Sequence, residues 1–322
     1  MTFRRAIPVL LLAATVHSVL IAQEPTMTPQ AYETLFAAVN NKGRWGEHDA
    51  LGALNTITAA TRLAAAREIR IGVSVSLSRT LEPGPVPGAL EPLVIGPFAA
   101  DDGGIHWQLE RLGLLYHGYA FSHVDALSHA AFRGQAYNGV SDPPRDLVRL
   151  SIEQLQNGLI SRGVLVDLPS LRGVEYLEPG TPCTSADMDA WEKKTGVRIG
   201  PGDVVVVRTG RWLRQKAVGP VDATKIQAGP HPALAPWLRE RGVAVFGGDG
   251  ANDLAPSVVP GVSHPFHQLA LVAMGMPLLD NLDLDALARE CVKAKRWTFF
   301  FVGAPLPIKE GTGSPLNALA VF

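Results

Sequence analysis

Three histidines fall within thirteen residues, in the run His117-Gly-Tyr119-Ala-Phe121-Ser-His123-Val-Asp125-Ala-Leu-Ser-His129. Imidazole and carboxylate together suit a divalent cation of intermediate softness; ligand type favours Zn2+, with Mn2+ as the alternative. On an extended segment His123 and Asp125 project from the same face with Cα atoms ~7 Å apart, close enough to converge on one ion. His129 lies four residues beyond Asp125, and a helical turn after Ala126 puts it on the same side, beside the ion as a general base. His117 is harder to place, because a straight strand holds it ~20 Å from His123. A bulge or turn at Gly118 would bring it back.

Other polar clusters carry less. Asp101-Asp102 before Gly103-Gly104 has the composition of an acidic turn, with substrate or metal contact as the alternative. Gly247-Gly248-Asp249-Gly250 lacks both the Lys-Ser/Thr of a P-loop and the spacing of a dinucleotide fingerprint. A serine hydrolase is disfavoured: no Gly-x-Ser-x-Gly elbow occurs, and Gly311-Thr312-Gly313-Ser314-Pro315 has the wrong phase.

The elements that must position these residues alternate along the chain. Short runs rich in β-branched and aromatic residues at 163–168, 203–208, 243–247 and 297–302 are expected to be buried strands. A half-buried strand is expected at 73–77 and a proline-rich loop at 81–97. Helices are expected over 56–70, 185–194 (Ser185 as cap), 232–241, 265–274 and 284–295, several ended by glycine. Interleaved strands and helices argue α/β in a single domain.

The chain has 322 residues, 47% of them hydrophobic, and a net charge of -1. This allows one large core and offers no basic surface for nucleic acid. Arg4 and Arg5 precede an apolar run from Ala6 to Ala22, the pattern of a secretory signal (1–22), followed by a leader (23–42) and the domain proper (43–322). The expected location is therefore periplasmic or secreted, with no membrane contact beyond the signal segment. Cys183 and Cys291 are the only cysteines; export permits a disulfide, and the sequence leaves their pairing open.

His123-x-Asp125-x-x-x-His129 resembles the second half of the His-x-Gly-Thr-His-x-Asp-x-Pro-x-His signature of the cyclase family, which includes kynurenine formamidases and isatin hydrolases. Trp45-Gly46…Leu51-Gly52…Asn55, Tyr137-Asn138-Gly139, Gly202-Asp203…Arg208-Thr209-Gly210 and Ala304-Pro305-Leu306…Gly311-Thr312-Gly313-Ser314-Pro315…Asn317 are similar to the longer members. The likeness covers nearly everything after residue 43. It implies the swivelling β/β/α fold, a mixed sheet with a few packed helices, and a homo-oligomer, dimer or tetramer. It implies ligand roles for His123 and Asp125, and an acid/base role for His129.

The family's first ligand falls on Tyr119 here, which leaves three readings: His117 on a longer loop, a Tyr119 phenolate, or a site that has lost one imidazole. By the same resemblance His267 and Asp280 complete the site from the C-terminal half; the alternative for Asp280 is a role at a helix start, and His264 reads as a helix-start or loop residue. The implied activity is hydrolysis of an amide, lactam, lactone or ester of a small molecule by a metal-activated water. A metal-dependent lyase or cyclase, or a metal-free binding protein of the same fold, is the alternative. Tyr119 and Phe121 are candidate substrate contacts, and with Tyr116, Phe132 and Tyr137 they lean the substrate towards an aromatic or cyclic compound.

Overall fold

Residues 26–141 and 148–322 are described by the computed structural model; the segment read as a secretory signal (1–22) lies outside them. Thirteen strands occur among the described residues: β1 (Ser74–Ser76), β2 (Val94–Asp102), β3 (Ile105–Gly113), β4 (His123–Asp125), β5 (Leu159–Asp167), β6 (Pro182–Cys183), β7 (Val204–Arg208), β8 (Gly229–Pro230), β9 (Val245–Gly248), β10 (Leu278–Asp280), β11 (Thr298–Gly303), β12 (Gly313–Pro315) and β13 (Leu319–Val321). Nine form one sheet in the order β1-β13-β11-β5-β7-β9-β10-β4-β12. Its centre, β5-β7-β9-β10, is parallel, and antiparallel strands flank it on both sides.

A parallel centre must be covered on both faces, which explains the unbroken Val204-Val-Val-Val run, buried throughout. Side chains alternate between two cores. Val164, Val166, Val205 and Val207 join one with Trp191 and Phe246. Leu165, Val204, Val206 and Val124 join the other with Phe299 and Phe301. The crossovers are helical: α1 (Pro29–Val39) and α2 (Ala59–Ala66) precede the sheet, and α3 (Leu168–Arg172), α4 (Ser185–Thr195), α5 (Arg211–Val218), α6 (Ala235–Arg241), α7 (Pro265–His267) and α8 (Asp285–Ala294) lie between strands. This is the mixed-sheet α/β fold that the sequence led us to expect. No described helix is long and apolar enough to cross a membrane.

Several details differ from the sequence reading. Thr184, not Ser185, caps α4, and Asp187 returns the bond to the Thr184 N–H in a capping box. The helix expected over 56–70 is shorter, because Ile57 is extended and the Thr58 hydroxyl caps α2. The segment over Gln268–Met274 winds as a π-helix continuing α7. The loop read over 81–97 gives way at Val94 to β2, which forms a two-stranded hairpin with β3. Pro97 is tolerated there because β2 has a free edge. Asp101 and Asp102 stand at the tip of this hairpin, and Asp101 pairs with His106.

The segment read as a leader contributes α1 to the folded body, with buried Tyr32 donating its hydroxyl to the Pro265 carbonyl at 2.9 Å. Cys183 and Cys291 are both buried and unpaired, and burial pushes the Cys291 thiol up to about 12.

Candidate metal centre

β4 is three residues long and entirely buried. It is clamped on one side by β10, with His123 opposite Asp280 and Asp125 opposite Leu278, and on the other by β12, with Asp125 opposite Gly313. Pleating sends His123 and Asp125 to the same face while Val124 enters the core beneath. The register therefore puts Asp280 beside His123; its carboxylate Oδ2 lies 4.0 Å from His123 Nε2.

Gly118, at φ 125°, turns the chain after His117, a conformation open to glycine and strained for other residues. His117 returns to the site, its Nδ1 3.1 Å from Asp125 Oδ1. Its Nε2 meets the Thr312 hydroxyl at 3.1 Å, so the loop before β12 sets the ring's orientation. The turn after Ala126 also forms, with the His129 N–H donating to the Ala126 carbonyl at 3.0 Å. His129 stacks on His117 with ring centroids 3.9 Å apart and comes within 4.0 Å of Asp125.

From the C-terminal half, His267 in the first turn of α7 points Nε2 to 3.5 Å from both Asp125 Oδ2 and Asp280 Oδ2. Two triads emerge, His117/His123/Asp125 and Asp125/His267/Asp280, each with ligand atoms within 4.8 Å of one another. Asp280 belongs to β10, not to a helix start.

The groups behind the triads fix which atoms face inward. His123 Nδ1 donates to the Phe121 carbonyl at 2.8 Å, and His267 Nδ1 bonds to Asp253 at 2.5 Å; each leaves Nε2 to the site. Asp253 also accepts from the Phe266 N–H at 2.7 Å, holding the start of α7. Asn252 Nδ2 donates to Asp280 Oδ1 at 2.5 Å, leaving Oδ2 to face inward. Asp253, Asn252 and Thr312 were missed in the sequence. The available signal for the first two was their place after a parallel strand's carboxyl end, where open α/β sheets gather ligands.

Electrostatics follow from burial and neighbours. Burial alone would raise Asp125, yet His129 and the close imidazoles of His117, His123 and His267 hold it well below the usual carboxylate range. Burial would lower His267, but Asp125, Asp253 and Asp280 lift it well above its ordinary value. His129 goes the other way: burial, reinforced by the neighbouring histidines and opposed by Asp125, brings it down to about 4.

The buried carboxylate of Asp125, 0% exposed, has no hydrogen-bond donor on either oxygen, and His117 Nδ1 is likewise unsatisfied. A carboxylate in that setting is costly unless a cation meets it, so the donor set fits a divalent ion. These groups line a cleft of about 260 Å3, together with Tyr119, Ser263, His264 and Gln268.

The remaining expectations separate here. Tyr119 lines the cleft, but its hydroxyl meets His264 Nε2 at 3.1 Å and burial raises its pKa, so it stays a phenol. His264 begins α7 and faces the cleft. Phe121 does not line it: it lies before β4, and its ring packs with Leu93 and Ala120. Tyr116, Phe132 and Tyr137 are also absent from its lining, so the aromatic lean rests on Tyr119 alone. The glycines of 247–250 serve packing: a Cβ on Gly247 would sit 2.8 Å from that of Leu279. Asp249 accepts from the N–H groups of Thr209, Gly210 and Arg211 to hold the turn into α5.

The sequence model of the Cyclase family matches residues 75–252. A crystal structure described as a novel cyclase superposes with a TM-score of 0.78 at 30% identity, covering 89% of this chain and 99% of that one. Isatin hydrolase A from Ralstonia solanacearum is similar at 25% identity and a TM-score of 0.55, covering 83% and 98%. The isatin hydrolase A from Labrenzia aggregata shares the fold at 23% identity and a TM-score of 0.57, covering 82% and 98%. No functionally curated protein matches the sequence. With the family match spanning more than half of its length and a relative at 30% identity along most of it, this chain belongs to the cyclase family.

Proposed function

We propose that the protein is a metal-dependent hydrolase of a small amide, lactam, lactone or ester. The observation that carries this reading is Asp125: buried, without a hydrogen-bond donor on either oxygen, and faced by four imidazoles and, through His267, by a second carboxylate. His117, His123 and Asp125 would hold one ion, and Asp125, His267 and Asp280 a second, with Asp125 common to both. Zn2+ is the first candidate and Mn2+ the alternative. A divalent ion bound there supplies Lewis acidity, lowering the pKa of a water and polarising a carbonyl.

The chain's own groups supply the rest. His129 is unprotonated at neutral pH, its pKa drawn down to about 4, so its imidazole can take a proton from the attacking water. The same ring then delivers that proton to the leaving nitrogen or oxygen. Stacking on His117 holds it in place. Tyr119 and His264 form the opposite wall, a hydrogen-bonded pair able to contact a substrate heteroatom. The likeness to isatin hydrolase A, a hydrolase by name, supports the choice of reaction class.

The test is elemental analysis of the purified mature protein and of His123→Ala, followed by a screen of amides, lactams and esters. Bound Zn or Mn that falls in the variant, with turnover lost in parallel, supports the reading. A wild type that takes up no metal on reconstitution sinks it. We also propose export, on the Arg4-Arg5 and Ala6–Ala22 pattern; N-terminal sequencing of the mature protein that begins at Met1 would refute this.

A further inference from the structure

Residues 118–122 link a candidate ligand, His117, to β4, which begins at His123. Outside a strand the carbonyls of such a link need other partners, or the histidine before it is loosely placed. Three of them find side chains from far along the chain. Asn281 Nδ2 donates to the Gly118 carbonyl at 2.8 Å and to the Phe121 carbonyl at 3.3 Å. Arg211 Nη2 donates to the Tyr119 carbonyl at 2.5 Å.

The two partners are themselves joined, with Arg211 Nη1 donating to Asn281 Oδ1 at 2.8 Å. Asn281 is 0% exposed and directly follows Asp280 of β10. Its backbone sits at φ 55°, a region that asparagine enters more readily than most residues. The Ser122 hydroxyl closes the set by donating to the Asn281 carbonyl at 2.8 Å. Asn281 shares the Phe121 carbonyl with His123 Nδ1, so the same contact reaches a second histidine of the site.

Arg211 opens α5, where Asp249 accepts from its N–H. Its guanidinium lies 4.3 Å from the Trp212 ring and makes no ion pair among the described residues. Burial draws its pKa down to about 10, which leaves it charged at neutral pH. A cation that no carboxylate takes up gives charge-assisted bonds to carbonyls, roughly twice as strong as neutral ones.

We propose that Arg211 and Asn281 are positioning residues for the metal centre. By holding the carbonyls of the 118–122 link, they keep His117 Nδ1 against Asp125 and Tyr119 in the wall of the cleft. A supporting shell that lets a ligand drift by ~1 Å is enough to weaken a site. The inference rests on reading the His117/His123/Asp125 triad as a metal site.

The test is a competitive titration of the mature protein against a chromophoric chelator, with Zn2+ or Mn2+, whichever the wild type retains. The quantity followed is the affinity of the equivalent that His117→Ala loses. Arg211→Ala and Asn281→Gly, the latter keeping the positive φ without the amide, should weaken it by ~10–100-fold. Arg211→Lys, able to keep one of the two bonds, should fall between them and the wild type. Arg214→Ala, one turn along α5 and paired with Glu178, should match the wild type. Millimolar guanidinium should restore Arg211→Ala and leave Asn281→Gly weak. Melting curves in chelator score folding separately, and should Arg211→Ala not fold, Arg211→Lys and Asn281→Gly decide. Wild-type affinity in the folded variants, an equal fall in Arg214→Ala, or a weakened Arg211→Ala that guanidinium does not restore overturns the proposal. A wild type that binds neither ion overturns the metal reading along with it.

Discussion

Asp253→Asn tests whether the groups behind the ligands tune the site. Asp253 accepts from His267 Nδ1 at 2.5 Å, from the Phe266 N–H at 2.7 Å and from the His267 N–H at 3.3 Å. An asparagine in the same volume has one acceptor and one donor end. If its oxygen stays on Phe266, its NH2 faces His267, favouring the tautomer with the proton on Nε2, which cannot ligate. If it flips, the Phe266 N–H faces a donor and loses its partner in a buried place. Either arrangement costs about 1–3 kcal/mol, and each 1.4 kcal/mol is tenfold. Affinity at the Asp125/His267/Asp280 triad should therefore fall by ~10–100-fold, in line with other outer-shell substitutions. The assay is a competitive titration against a chromophoric chelator, with Asp101→Asn at the hairpin tip as control and a melting curve in chelator to score folding separately. A folded Asp253→Asn protein with wild-type affinity for every equivalent of metal would refute the reasoning.

His129→Ala should lower turnover by ~10²–10⁴-fold while metal stoichiometry stays that of the wild type; loss of metal in step with activity would make it a ligand. The base form of His129 is present above its pKa of about 4, so with metal held saturating at every pH no acid limb near pH 6.5 should be traceable to this residue; a limb there that is present in the wild type and absent from the residual activity of His129→Ala would contradict the assignment. Tyr119→Phe should keep its metal, whereas His117→Ala should lose it, since the phenol is committed to His264; elemental analysis of the two decides which residue is the ligand. Gly247→Ala places a Cβ 2.8 Å from that of Leu279 and should cost ~1–3 kcal/mol by overpacking, read as a lowered melting temperature, while Gly200→Ala, with nothing within 4 Å, should change stability little.

Much of the frame was legible in local pattern. The Val204-Val-Val-Val run reads as a strand covered on both sides, because it is short, wholly β-branched and bounded by Gly202-Asp203 and Thr209-Gly210. The two-residue spacing of His123 and Asp125 put them on one face as soon as the segment was extended, and the four-residue spacing to His129 needed only the turn that forms after Ala126. These are properties of a polymer with periods near 2 and 3.6, and they survive without knowledge of the rest of the chain. The β2–β3 hairpin was missed although Asp102-Gly103 between alternating apolar residues is a hairpin signal, because Pro97 was weighed as a loop residue.

The rest depended on how distant segments pair. His117 reaches Asp125 only because Gly118 adopts φ 125° and the loop before β12 supplies Thr312; the sequence by itself allowed this turn and did not choose it. His267, Asp280 and Asp253 converge because β10 pairs with β9 on one side and β4 on the other in one register; a slip of one residue would turn Asp280 into the core. Phe121 illustrates the converse, since its proximity in sequence to His123 suggested a substrate contact, but it lies outside β4 and its ring packs against Leu93, a contact between segments nearly thirty residues apart. By itself, then, the sequence determined the chemistry available and its local spacing, which are set by residue type and backbone period. Which of those groups meet one another was decided by hydrogen-bond register and packing between segments more than a hundred residues apart, interactions that exist only once the sheet has formed.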